Sequence, residues 1–318
     1  MSDERYLAPV PMAWCPGCGN FPIREALAKL EIPPHRVVLV TGIGQAAKIV
    51  HYMRVNGFDG LHGRTLAAAA GIKIANKDLV VIAESGDGDI YGEGGNHLIH
   101  NIRRNLDITL IVHDNRVYGF TKGQTSPTSD LGFVTKVQTF GVLAEPLRPL
   151  ALALALGCGF VDQAFSGYPD HAAEVTVRAI QHKGFALVNV LHPCPSWNRL
   201  NTFALCKVNT FTLHGNERPR KRVEALELVL GSQKLPLGVI FGEEKERFEE
   251  RHPVLRGGIP GPEAPARSRG VLSRVERTPL IRGKASARRD LRGTRGRREA
   301  KRPGGVGTTI FPRPQEGG

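Results

Sequence analysis

An acidic residue in a glycine-rich turn and an amide at the end of the next strand can share one hard cation. This chain carries that pair as Gly86-Asp87-Gly88-Asp89 and Asp114-Asn115. Apolar runs at 79–83 and 108–112 read as buried strands leading into the two motifs, and residues 95–105 between them have the length of a crossover helix. Both polar ends therefore fall at the C-terminal edge of a parallel sheet, where open α/β sheets bind ligands. Asp87, the Asn115 side-chain oxygen and a backbone carbonyl shortly after it would suit Mg²⁺ that also holds phosphate oxygens. Gly86 and Gly88 let the backbone close in on a diphosphate. A Gly-Asp-Gly tripeptide alone is more often a surface turn; the flanking strands and the Asn at this distance favour the cation site.

A second chemical element is Cys15-Pro16-Gly17-Cys18, a spacing that can place two thiolates on one metal or cluster. A redox dithiol is the alternative. Those motifs normally open a helix after a strand, and nothing strand-like precedes Trp14.

The positioning elements follow from periodicity. Helices are expected at 21–30, 67–74, 149–156, 171–182 and 221–230, and strands at 37–41, 160–163 and 185–191. The segment 235–241 closes the part with recognisable pattern. Strands alternating with helices imply an α/β fold with a doubly wound, mostly parallel sheet. Residues 1–256 are expected to form one such domain and residues 257–318 a basic, disordered tail.

Charge supports that division. The chain of 318 residues carries a net +13. From Glu263 onward there are fifteen Lys or Arg against five Asp or Glu, a net of +10, which leaves +3 for everything before it. The run Arg288-Arg289, Arg292, Arg295, Arg297-Arg298, Lys301-Arg302 could be an electrostatic hook for nucleic acid or an acidic partner. A solvated tail is the reading favoured here, so nucleic acid is not an expected partner. The longest apolar run, 151–156, is too short to span a bilayer. The N-terminal residues lack a signal-peptide pattern. Five cysteines suit reduced thiols and a cytoplasmic location, with no membrane partner.

Taken in order, several motifs resemble one family. They are Trp14-Cys15-Pro16-Gly17-Cys18-Gly19, Gly42-Ile43-Gly44, Leu61-His62-Gly63-Arg64, Gly86-Asp87-Gly88-Asp89, Gly94-Gly95-Asn96-His97 and Arg103-Arg104-Asn105. They continue through Asp114-Asn115, Tyr118-Gly119, Thr121-Lys122-Gly123-Gln124, Ser126-Pro127-Thr128 and Pro193-Cys194, covering residues 10–255. The set resembles the β subunit of the 2-oxoacid:ferredoxin oxidoreductases, enzymes that depend on thiamine diphosphate (ThDP). The resemblance implies ThDP held through Mg²⁺ on Asp87, Asn115 and the Val117 carbonyl, with Gly88, Asp89 and Gly119 along the diphosphate. The loop Ile43-Gly44-Gln45-Ala46 would reach the same crevice from a neighbouring strand.

Other residues keep alternative readings. His62 is either a donor or acceptor beside the reacting adduct or a satisfied core histidine. Lys48 either binds an oxoacid carboxylate or is solvated surface. Lys122 could meet an anionic substrate tail or a coenzyme A phosphate, and Phe120 could shape the acyl pocket or belong to the core. Asn96, His97, Arg103 and Arg104 read as interface or supporting structure.

The resemblance also implies a [4Fe-4S] cluster on Cys15, Cys18, a Cys after Gly42-Ile43-Gly44 and the late Cys194. The third of these positions is Gln45, and four sulfur ligands are the usual requirement. Either another Cys substitutes, or Gln45 or water takes the fourth iron, or the cluster is weak or absent. Cys206 is the better spare thiol, because Cys158 reads as a small core residue. The glutamate that ThDP enzymes place on the aminopyrimidine ring belongs to a second ThDP-fold domain. An α (or fused α/γ) subunit is therefore an expected partner, with ferredoxin, coenzyme A and a 2-oxoacid, 2-oxoglutarate or pyruvate. Two rivals stand beside this reading: a non-oxidative ThDP decarboxylase or synthase, and a cluster-free scaffold subunit.

Overall fold

Strands of three to eight residues assemble into one eight-stranded sheet in a computed structural model that describes residues 4–257. In chain order its elements begin with α1 (Asn20–Leu27), β1 (Val37–Thr41), β2 (Asn56–Asp59), α2 (Thr65–Ala75), β3 (Val80–Gly86), α3 (Gly95–Arg104) and β4 (Ile108–Asp114). They continue with α4 (Pro149–Ala155), β5 (Phe160–Phe165), α5 (Pro169–Gln181), β6 (Ala186–Leu191), α6 (Phe203–Val208), β7 (Thr210–Thr212), α7 (Arg222–Gly231) and β8 (Leu235–Gly242). The strand order is β2-β1-β3-β4-β6-β5-β8-β7. Strands β1 to β6 run parallel; β8 lies antiparallel on β5, and β7 is parallel to β8. The expected doubly wound, mostly parallel α/β sheet is present.

Both faces of the central strands are covered, so every residue of β1 and β4 is buried. That is why these strands read as continuous apolar runs. Alternate residues feed two cores: Val38, Val40, Val81, Leu110 and Val112 pack with Leu66, Leu98 and Leu154 of the helices α2, α3 and α4. Leu39, Ile82, Ile111 and Val188 pack on the other face with Ile23 and Leu27 of α1 and Val175 of α5. Helix α3 ends where Asn105 takes a left-handed conformation (φ 57°), a C-terminal stop that Asn tolerates. Its side chain accepts from Phe185 N–H at 3.0 Å and ties the helix end to β6's entry.

Strand β2 gave no apolar signal, because all four of its residues are exposed at the sheet edge. Asn56 secures it, donating to the carbonyls of His35 (2.9 Å) and Val37 (3.0 Å). No helix among the described residues is long and apolar enough to cross a membrane. The polybasic run, within the tail expected to be disordered, lies outside the described residues.

Candidate cofactor site

Three strand ends meet at the sheet's C-terminal edge. Thr41 of β1 pairs with Glu84 of β3, and Gly86 of β3 pairs with His113 of β4. The loops that follow, 42–46, 87–89 and 115–121, therefore emerge side by side. They enclose a cleft lined by Ile43, Gly44, Gln45 and Ala46 on one side and by Gly86, Asp87, Gly88 and Asp89 on the floor. Asn115, Val117, Gly119 and Phe120 line the other wall, and His62 reaches in from the segment before α2.

Asp87 is the electrostatic centre of the floor. Its buried carboxylate accepts at Oδ2 from Ser126 Oγ (2.5 Å) and Thr128 Oγ1 (2.7 Å). Thr128 Oγ1 also stands 2.9 Å from Asp114 Oδ1. One hydroxyl carries one proton, so it cannot satisfy both carboxylates. Burial, and after it the Asp114 charge, pushes the Asp87 carboxyl up to about 7. Two carboxylates this close to one hydroxyl need a further positive charge or proton. A proton on Asp87 would answer that need, and so would a divalent ion such as Mg²⁺, which this oxygen donor set fits.

Asn115 stands on the wall of the same cleft. Its Oδ1 accepts from Val117 N–H at 3.0 Å across Arg116, which is left-handed at φ 57°. The turn leaves the Asn115 amide and the Val117 residue on the cleft wall. Asn198 Nδ2 clamps the turn from outside at the Asn115 carbonyl (3.1 Å). Around Gly44, at φ +141°, an added Cβ would meet nothing within 4 Å, and at Gly86 only the His113 carbonyl at that limit. Those glycines face open space, as a cradle for a diphosphate requires.

Asp89 lines the cleft, and its side chain is held by protein groups. Its Oδ1 accepts from Ile43 N–H (3.1 Å) and Gly63 N–H (2.8 Å), and its Oδ2 from Thr65 Oγ1 (2.9 Å). His62 Nδ1 lies 2.9 Å from the same carboxylate. The side chain is saturated by protein groups, so it staples the β1 loop and the 62–65 segment to the floor. His62 is thereby oriented at the cleft, half-exposed, and is not a core histidine.

Lys48 stands beside the cleft, and Phe120 borders both the cleft and the space Lys48 lines. The ammonium of Lys48 lies 5.6 Å from the Phe120 ring centre, and both line an adjoining recess with His51 and Asp59. Phe120 is exposed, which excludes the core reading. Lys122 is exposed on a tight turn, left-handed at φ 76°. Bonds from Gly123 N–H to the Tyr118 carbonyl (2.9 Å) and from Tyr118 N–H to the Gln124 carbonyl (2.8 Å) close that turn.

Residues 38–190 match the family model described as thiamine pyrophosphate enzyme, C-terminal TPP binding domain. Residues 194–257 match the family model for the C-terminal part of the pyruvate ferredoxin oxidoreductase beta subunit. The 2-oxoacid:ferredoxin oxidoreductase 1 subunit beta of Aeropyrum pernix is 39% identical over 263 residues, covering 77% of this chain and 83% of that protein. This chain belongs to the 2-oxoacid:ferredoxin oxidoreductase β-subunit family. The 2-oxoglutarate synthase subunit KorB of Archaeoglobus fulgidus is 35% identical over 250 residues, covering 78% of this chain and 91% of that one. A solved 2-oxoglutarate:ferredoxin oxidoreductase from Magnetococcus marinus, with 2-oxoglutarate, coenzyme A and succinyl-CoA bound, superposes with a TM-score of 0.80 at 31% identity. The match covers 86% of this chain and 95% of that one.

In this β subunit the cysteines are distributed unevenly. Cys15 and Cys18 close a turn over Gly17 (φ +74°), with Cys18 N–H on the Cys15 carbonyl at 3.1 Å. The Cys18 thiol is pushed up to about 11, first by burial and then by the proximity of Cys194 and Cys15. Those three thiols therefore share one neighbourhood. Gln45 adjoins their segment, since its carbonyl accepts from Trp14 Nε1 at 2.7 Å and its Oε1 is buried without a partner. Among the described residues no three His, Cys, Asp or Glu side chains converge on a single metal ion. The thiolate set remains one short of a cubane's four. Cys158 is buried, its thiol 3.2 Å from the Phe160 carbonyl. Cys206 packs against the small cluster of Phe165, Leu191 and Leu237, and the charges nearest it are Arg116, Asp114 and Asp130.

Sequence reasoning assigned no role to Ser126, Thr128, Asp114 or Asn198. Ser126-Pro127-Thr128 carried resemblance without chemistry, since a loop hydroxyl that turns back on a strand end leaves no periodic trace. Asp114 Oδ2 accepts from Asn189 Nδ2 (3.1 Å), and Asn189 Oδ1 accepts from Tyr91 Oη (2.8 Å), a buried support visible only in three dimensions.

Proposed function

We propose that this chain anchors ThDP and Mg²⁺ in a 2-oxoacid:ferredoxin oxidoreductase that converts a 2-oxoacid, coenzyme A and oxidised ferredoxin to acyl-CoA, CO₂ and reduced ferredoxin. The buried Asp87 carboxylate, competing with Asp114 for one hydroxyl beneath a glycine-lined cleft, is the observation that carries this reading. Asp87, Asn115 and the Val117 carbonyl hold the ion. Gly86, Gly88 and Gly119 offer backbone to the diphosphate, and the 43–46 loop forms the opposite wall. ThDP, when bound, supplies the electron sink for decarboxylation. The chain's own residues place it, exclude water and orient the substrate. Asp89 fixes His62, which offers a polar contact beside the reacting atoms. Lys48 binds the oxoacid carboxylate and Phe120 borders the acyl pocket. Lys122, on its exposed turn, is placed for an anionic group of coenzyme A.

The family implies an α partner subunit, and we assign to it the glutamate facing the aminopyrimidine ring. Lys48 inclines the substrate toward a dicarboxylic oxoacid such as 2-oxoglutarate, with pyruvate the alternative. Cys15, Cys18 and Cys194 are proposed as three ligands of an iron–sulfur cluster whose fourth ligand is unassigned. Copurification with the natural partner, followed by dye reduction across a panel of 2-oxoacids, tests the proposal. Activity that needs ThDP, Mg²⁺ and coenzyme A supports it; activity without coenzyme A or an electron acceptor assigns a non-oxidative decarboxylase instead.

A further inference from the structure

Two of the five cysteines lie on the side of the sheet away from α1. Cys158 belongs to the core that α2, α3 and α4 cover. Cys206 packs on Phe165 and Leu191. Those two side chains alternate along their strands with Ala164 and Val190, which face α1, so they point to the opposite side. Cys18, by contrast, packs with Trp14, Ile23 and Leu27 on the α1 face.

His192 stands on that same face, where the two cysteine segments meet. It lies two residues after Val190 and two before Cys194, and its N–H continues the sheet ladder by donating to the Asp114 carbonyl at 3.0 Å. Gly19, directly after Cys18, is pressed against it. A Cβ on Gly19 would lie 2.5 Å from His192 Cβ and 2.9 Å from its Nδ1. A residue without a side chain is what lets the Cys15–Cys18 turn come so close.

The imidazole has nothing to bond to. His192 is 2% exposed, and neither ring nitrogen has a hydrogen-bond partner. Its ring meets His113 edge-on, with 5.5 Å between centres, but His113 is already taken by Asn20 Oδ1 at 2.7 Å and by Glu84. Leaving two buried nitrogens unmet is costly, which points to a ligand. Gln45 Oε1 is also buried without a partner. Imidazole suits iron, including iron in sulfide clusters, whereas a carbonyl oxygen suits harder ions such as Mg²⁺. Among the described residues no three ligand side chains converge on a single ion. Ligands spread around a cluster, each on its own iron, are what this set suits.

We propose that His192 is the fourth protein ligand of the cluster, completing Cys15, Cys18 and Cys194 in place of the thiolate that Gln45 does not supply. The inference rests on the cluster reading given above. A neutral imidazole then replaces one anionic thiolate, which raises the reduction potential above that of an all-thiolate form.

The test uses the chain copurified anaerobically with its partner and labelled with nitrogen-15 histidine. Iron and sulfide are assayed first, and the reduced cluster is then examined by pulsed electron paramagnetic resonance. A strongly coupled histidine nitrogen is expected in the parent and in Gln45→Ala. It is expected to be absent from His192→Cys, which keeps its cluster at a lower midpoint potential. Should His192→Cys not fold, the iron content of His192→Ala is measured with and without added imidazole; recovery with imidazole supports the ligand, and no recovery overturns it. A cluster without a coupled histidine nitrogen, or a coupling that survives in His192→Cys, overturns the assignment and leaves the cluster reading standing. A parent without stoichiometric iron and sulfide overturns both, and the assay shows this before any spectrum is taken.

Discussion

Asp87 and Asp114 hold opposite sides of one threonine hydroxyl, a geometry that a bound cation would relieve. Asp87→Asn should therefore leave the cofactor-free chain at least as stable as the parent, while weakening Mg²⁺-dependent ThDP binding at least about tenfold. Denaturant unfolding and cofactor titration on the same variant separate the two effects; equal ThDP affinity in parent and variant would place the ion elsewhere. A second buried pair sets a pH window. His113 Nε2 lies 2.5 Å from Glu84 Oε1, and burial pushes the glutamate up to about 8 and the histidine down to about 3. Between those limits the folded pair carries one proton. In the unfolded chain the same residues titrate near 4.5 and 6.5. Above about 6.5 the folded pair holds one proton more than the unfolded residues, so stability falls as pH rises toward 8. Below about 4.5 it holds one fewer, and stability falls as pH drops toward 3. Each limb is worth at most about 1.4 kcal/mol per pH unit. Glu84→Gln should remove this pair's share of the alkaline limb and keep the acid one, read from unfolding free energies at several pH values. Asp87 and Asn115 were legible in the sequence because each ends an apolar strand. Glu84 sits inside such a run with nothing to mark it, and its partner His113 is visible only once β3 and β4 are paired.

At the scale of elements, Asp89 decides whether the cleft has two walls or one. It is the first acidic residue of a short helical turn, yet it reaches across to the loop after β1 and to the segment before α2. Asp89→Ala would strand two backbone N–H groups and one hydroxyl, each at roughly 1–3 kcal/mol if left buried and unpaired. The expected outcome is a loss of about 3 kcal/mol, discounted for local relaxation. Faster hydrogen exchange at the Ile43 and Gly63 amides should accompany it; unchanged exchange there would mean that the loops are held by something else. Gly42 enforces the same closeness, because a Cβ on it would lie 2.2 Å from Asp89 Oδ2. Strands β1, β3 and β4 and the helices between them were readable, since burial on both faces writes itself as apolar runs. The direction of β8 was not. Its apolar run is the same whether it joins the sheet parallel or antiparallel, and only the return of α7 settles it. Strand β2 was missed for the opposite reason, as an edge strand of Asn-Gly-Phe-Asp has nothing apolar to alternate.

For the whole molecule, the surface carries a message that the cleft alone does not. In the connection between β4 and α4, Leu131, Val134, Val137, Phe140 and Leu143 are all exposed, Phe140 at 93%. We expect the α subunit to cover these exposed apolar side chains. The same connection supplies Ser126 and Thr128 to Asp87, so the segment bearing this surface also holds the carboxylate proposed to bind the ion. Binding of the α subunit and binding of the cofactor should then reinforce one another. Phe140→Asp with Leu143→Asp, far from any ThDP contact proposed here, is expected to weaken subunit association at least tenfold and to lower ThDP affinity only when the partner is present. Sedimentation of the mixed subunits and ThDP titration with and without the partner give the two readouts. The chain by itself should bind ThDP weakly and show little oxoacid-dependent dye reduction. If the isolated polypeptide turned over a 2-oxoacid as fast as the assembled enzyme, the glutamate assigned to the partner would be dispensable and the shared-site reading would fail. If the charged variant assembled normally, the apolar connection would face solvent in the enzyme too, and the link between assembly and Asp87 would have to be abandoned.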